Sequence, residues 1–142
     1  MLAFACGPRP GSADPTASVR ASHARASTQG GPPLVSSLAV NVRNGVAIDF
    51  RVVNAGGRRV EVNFPSGKTH ELVVLDSLGR EVWRWSEGRM FTQTLQNKVL
   101  HASDTLDYDA VWHGAPAGRY TAVATLASEN FPVEQRAEFV VH

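Results

Sequence analysis

From Leu34 onward, apolar and polar residues alternate with a period of two. Leu38, Val40 and Val42 share one face of a run, and Val46, Ile48, Phe50 and Val52 share one face of the next. Residues two apart lie on the same side of an extended chain, so these runs predict half-buried strands. Asn44-Gly45 lies between them and predicts a two-residue hairpin turn, because both positions tolerate positive φ. Asn54-Ala55-Gly56-Gly57 closes the second run, Val60, Val62 and Phe64 mark a third, and Pro65-Ser66-Gly67-Lys68 reads as a turn. A strand over Glu71–Leu75 follows, turned by Asp76-Ser77-Leu78-Gly79 into Arg80–Trp85. Leu106, Tyr108, Ala110 and Trp112 share a face, then Tyr120, Ala122, Ala124 and Leu126, and the last run is Ala137–Val141. No segment keeps a 3.6-residue period. About eight short strands over residues 34–142 predict an all-β domain, an immunoglobulin-like antiparallel β-sandwich.

Residues 1–33 have a different composition. Ala, Ser, Gly and Pro supply 20 of these 33 positions, and Pro8, Pro10, Pro15, Pro32 and Pro33 interrupt any regular element. Such a stretch buries too little surface to offset its ordering entropy, so a disordered, flexible tail is expected there. Its start, Leu2-Ala3-Phe4-Ala5-Cys6-Gly7, looks like the end of a bacterial lipoprotein signal, in which a small residue precedes a cysteine that is lipidated. Leu2 sits four rather than three before Cys6, and the apolar run is short and lacks a basic start. Cys6 is therefore a lipidation candidate followed by a tether, or an incidental cysteine in a tail.

Charge and candidate chemistry narrow the function. The net charge of +1 and the scattered basic residues give no nucleic-acid footprint. No run is long and apolar enough for a spanning helix, so a lipid on Cys6 is the one membrane attachment the sequence suggests. The single cysteine excludes an intrachain disulfide, and rigidity must come from packing. The five histidines (His23, His70, His101, His113 and His142) do not pair at ligand spacing, so neither a metal nor another cofactor is expected. Asp107 and Asp109 alternate with Tyr108 and could serve acid–base or calcium chemistry, but the wet side of a strand is the commoner role. No Gly-x-Ser-x-Gly elbow or phosphate loop is present, and the reading is a binding protein, not an enzyme.

The best candidate for binding is the segment after Arg80–Trp85. Trp83 and Trp85 alternate with Val82 and Arg84, and the strand runs into Ser86-Glu87-Gly88. Glu87, Gly88, Arg89, Met90 and Phe91 crowd one loop with side chains of the kind that dominate interfaces. The competing expectation, and the commoner fate of apolar loop residues, is that Met90 and Phe91 fold back and plug the end of the sandwich. Trp83, Trp85 and Trp112 are expected to fill the core and anchor the loop.

The stretches Phe64-Pro65-Ser66-Gly67-Lys68-Thr69-His70-Glu71, Asp76…Gly79…Val82-Trp83-Arg84-Trp85-Ser86 and Phe91-Thr92-Gln93 resemble the BsuPI-type intracellular proteinase inhibitors of bacteria. Trp112 and Gly118-Arg119-Tyr120 are similar to the family's closing segments, and the likeness runs from Val46 to Val141. The resemblance implies an immunoglobulin-like sandwich, a subtilisin-like serine proteinase as partner, and a cytoplasmic home. Cys6 and the tether point instead to the cell envelope. There the domain would act on an exported proteinase, or as a non-inhibitory module binding a protein or glycan. On either reading a monomer is expected.

Overall fold

A computed structural model describes the backbone of β1 (Ser18–Ala21) and residues 33–142. The remaining strands are β2 (Leu34–Val42), β3 (Val46–Asn54), β4 (Val60–Phe64), β5 (His70–Asp76), β6 (Glu81–Arg84), β7 (Gln96–Leu100), β8 (Thr105–Trp112), β9 (Gly118–Leu126) and β10 (Val133–Val141). They form one sheet in the order β1-β2-β3-β8, a second in the order β10-β9-β5-β6, and a two-stranded ribbon of β4 and β7. Every pairing is antiparallel. This is the immunoglobulin-like sandwich.

The alternation read from the sequence sets which side chains face inward. Leu38, Val40, Ile48, Phe50 and Val52 project from the first sheet, and Leu72, Val74, Ala122, Ala124 and Leu126 from the second, all almost fully buried. Each large side chain so buried contributes roughly 1.5–3 kcal/mol. A polar link crosses this core: Gln135 Nε2 donates to Ser36 Oγ at 2.9 Å. Far along the sandwich, Trp112 meets Tyr120 edge-on at 5.1 Å, and the Tyr120 hydroxyl donates to the Pro116 carbonyl at 2.7 Å.

Three local details differ from the sequence reading. The turn between β2 and β3 spans Arg43, Asn44 and Gly45, because Val42 pairs with Val46, and Gly45 alone takes positive φ there. The strand β7 carries no period-two signal, since Gln96-Asn97-Lys98-Val99 stays largely exposed and only Leu100 is buried. Within the stretch read as a tail, β1 adds to the edge of β2. Strand addition uses backbone groups, which composition does not report.

The β4–β7 ribbon closes one end of the sandwich, inserting Val62, Phe64 and Leu100 into the core. Fully buried Asn54 ties it to β3, donating from Nδ2 to the carbonyls of Arg58 (2.8 Å) and Leu100 (2.9 Å). The ribbon and the β5–β6 hairpin are joined by residues 85–95, the segment that holds the candidate loop.

Candidate functional site

β6 pairs with β5 and then hands the chain on through Trp85, whose N–H donates to the Leu72 carbonyl at 2.9 Å. The next four residues form a tight turn. Arg89 N–H bonds the Ser86 carbonyl at 3.0 Å, and Gly88 has φ of +80°. That geometry needs glycine at the third turn position, which explains Ser86-Glu87-Gly88-Arg89. Beyond it the chain runs irregularly to β7. Among the described residues, the peptide groups of Met90 and Phe91 have no backbone hydrogen-bond partner.

The loop is held from two sides. On one, a ladder of rings runs outward from the core. Phe50 lies 6.3 Å from Tyr108, Tyr108 stacks on His70 at 3.8 Å, His70 meets Trp85 at 4.0 Å, and Trp85 meets Phe91 at 5.6 Å. These residues belong to β3, β8, β5 and the loop, so the ladder bridges the two sheets and ends under the loop. Burial pulls the His70 pKa from 6.5 down to about 4, leaving a neutral ring in the stack at neutral pH. Arg89 closes the ladder. Its guanidinium lies 4.5 Å from the centre of the Trp85 ring, and its Nε donates to the Trp85 carbonyl at 2.9 Å.

On the other side sits Glu71, only 9% exposed. Its carboxylate accepts from Ser86 Oγ (2.5 Å), Ser86 N–H (3.2 Å) and Leu72 N–H (3.1 Å). It also pairs with Lys68 Nζ at 2.7 Å and with an Arg84 terminal nitrogen at 2.9 Å. Burial alone would raise its pKa, but the bonds from Lys68, Ser86 and Arg84 outweigh it and bring it to about 2. Arg84 is shared with Glu81, whose bond and that of Glu71 push the guanidinium pKa upward. The turn between β4 and β5 braces the far limb: Gly67 N–H donates to the Thr92 carbonyl at 2.8 Å.

The residues singled out in the sequence therefore fall into different environments. Trp112 is buried, whereas Trp83 and Trp85 are half-buried and pack on the core from its rim. Phe91 is half-buried against Trp85, but Met90 is 96% exposed. The folding-back expected of both apolar residues thus applies to Phe91 alone. Glu87 and Gly88 are exposed at the turn. Asp107 and Asp109 face solvent beside Arg51 and Asp49, whose pKa burial and the Asp107 carboxyl raise to about 6. Among the described residues no group of three or more His, Cys, Asp or Glu could hold a metal ion. An open depression of about 330 Å³ on the second sheet is lined by Asp76, Arg119, Arg136 and Glu138, without histidine or cysteine. Sequence reasoning missed Glu71 and His70 as parts of the site, because neither lies on the loop and only the register of β5 brings them under it.

A family model described as BsuPI, intracellular proteinase inhibitor, matches residues 34–131. The chain belongs to that family. The matched segment starts at the first residue of β2 and ends before β10, so it includes the whole candidate site. BsuPI membership gives the chain a proteinase as its partner class, in keeping with a binding protein. No curated protein matches the chain. Cys6 lies outside the described residues and outside the matched segment.

Proposed function

We propose that this domain inhibits a subtilisin-like serine proteinase by offering residues 87–91 as a substrate-like loop, with Met90 as the side chain that enters the primary specificity pocket. The observation that carries this reading is Met90 itself. It is 96% exposed, while its neighbours Arg89 and Phe91 are both held on Trp85. An exposed unbranched apolar side chain between two anchored residues suits an apolar pocket. Among the described residues the peptide groups of Met90 and Phe91 have no backbone partner, which suits pairing with an enzyme that reads its substrates as strands. Arg89 is the weaker candidate for that pocket, since entering an acidic one would cost both its contact with the ring and its bond to the Trp85 carbonyl. The family's description as intracellular supports a cytoplasmic target. Envelope attachment through Cys6 is the competing prediction, and the mass of the N-terminal peptide from the native host distinguishes the two.

The test is a panel of subtilisin-type and trypsin-type proteinases assayed with the wild-type domain, Met90→Asp and Arg89→Ala. Placing a charge at an interface anchor costs about 2 kcal/mol or more, a loss of about 30-fold. Met90→Asp is expected to show that loss against subtilisin-type enzymes with an unchanged melting temperature, and Arg89→Ala to inhibit within a few-fold of wild type. Equal inhibition by Met90→Asp removes this loop from the mechanism. Inhibition of no proteinase by the wild type makes the domain a non-inhibitory binding module.

A further inference from the structure

We infer that Glu71 is the positioning residue that makes the Met90 loop an inhibitor rather than a substrate; the inference rests on the contact-loop reading above. A proteinase loop-mimic avoids turnover when the loop keeps its bound shape before and after attack, so that little ordering entropy is lost on docking and the ends do not part after hydrolysis. Small inhibitors commonly obtain that stiffness from disulfides, and this chain has a single cysteine.

The geometry points to a buried carboxylate in that role. One oxygen of Glu71 accepts the N–H of Ser86, and the other accepts its hydroxyl, so both polar handles at the first turn residue are held by one group. Arg84, the last residue of β6, is drawn to the same carboxylate, and Lys68 comes to it from the β4–β5 turn. Glu71 itself lies near the start of β5, opposite Thr125 of β9, in a strand that is paired with β9 along its length and with β6 from Val73 onward. The clamp therefore joins a rigid sheet to three points around the loop base. Charge-assisted hydrogen bonds of this kind are stronger than neutral ones and have directional preference. The aromatic ladder holds the loop by packing, which tolerates sliding; the carboxylate fixes the backbone of Ser86, four residues before Met90.

Glu71→Gln keeps the shape but presents an NH2 to Lys68 and Arg84, which are donors themselves. Ser86→Ala, at a half-buried loop position, removes one donor and leaves the charges paired. Both variants and the wild type are compared by amide hydrogen exchange over the hydrogen-bonded residues 85–89, by inhibition of the proteinase found in the panel, and by mass-spectrometric detection of hydrolysis after Met90, in which water adds across the Met90–Phe91 bond. Glu71→Gln is expected to speed exchange of the loop amides about tenfold or more, weaken inhibition by a similar factor and become cut on prolonged incubation, with Ser86→Ala intermediate. The inference is overturned if the folded variants, or Ser86→Ala alone where Glu71→Gln does not fold, exchange like wild type, or if they inhibit like wild type and stay uncut. Faster exchange in both variants alongside a wild type that inhibits nothing upholds the clamp and removes the contact-loop reading.

Discussion

His70 shows how one side chain ties stability to pH. It is buried between Trp85 and Tyr108 with Thr69 Oγ1 3.3 Å from its Nδ1, and it is faced by Glu71, Lys68 and Arg89. Its pKa is 6.5 in an unfolded chain and about 4 in the fold. Between those values the unfolded chain binds more protons, so stability falls as pH drops from 6.5 towards 4, by about 3 kcal/mol in all. Glu71 acts lower down: with its pKa depressed from 4.5 to about 2, its stabilising contribution is present above 4.5 and lost as pH falls towards 2. Asp49 opposes His70, because its raised pKa makes the fold bind the extra proton between about 6 and 3.8. The clean measurement is therefore a difference. His70→Phe keeps a ring in the stack and removes the titration. Its stability, followed by thermal melting from pH 7 to 4, is expected to fall less than that of the wild type by about 2–3 kcal/mol. Parallel curves would show that His70 stays solvated enough to titrate normally.

The loop at residues 85–95 is legible as an element only in part. Its turn was readable, since Gly88 sits where a tight turn needs positive φ. Its far limb was not, because it is held by Gly67, a residue of another turn. A Cβ on Gly67 would lie 2.5 Å from Thr92 Oγ1 and 3.2 Å from Thr92 N. Gly67→Ala should push the limb away from the β4–β5 turn. The site is at the surface, so the stability change is expected to stay within about 1 kcal/mol. Inhibition is expected to weaken about tenfold, because a contact loop acts through its shape. Thr92→Ala in the same chain removes the nearest atom and should restore most of the loss. Inhibition constants for the two single variants and the double variant decide it, and additive losses would show that the residues do not meet. The polar strand β7 is not legible in the sequence for a related reason: its place is set by pairing with β4, and its own side chains barely alternate.

On the scale of the whole molecule, the sandwich is held by packing, by backbone pairing and by a few buried polar staples. Asn54 is the one that joins the ribbon to the first sheet. Besides its two donor bonds, its Oδ1 accepts Gly56 N–H at 3.0 Å, and its backbone bonds Asp104 and Ser103 across the β7–β8 turn. Asn54→Leu would leave the buried Leu100 carbonyl and the part-buried Arg58 carbonyl and Gly56 N–H without their partner, at a cost of about 3 kcal/mol. Urea denaturation at neutral pH should show that loss as a lower midpoint with an unchanged slope, and a loss below about 1 kcal/mol would mean water replaces the side chain. The class of fold, the inward faces of the main strands and the family resemblance were determined by the sequence alone, because period-two burial and glycine turns are local signals. Which of two adjacent apolar loop residues is exposed, and which distant residues hold the loop, was decided by the tertiary structure alone. Phe91 meets Trp85 while Met90 has nothing to pack on, and the register of β5 places His70 and Glu71 beneath Trp85 and Ser86. The contacts of His70 and Glu71 join separate elements of the chain, that of Phe91 depends on where Trp85 is seated, and no local pattern of residues encodes them.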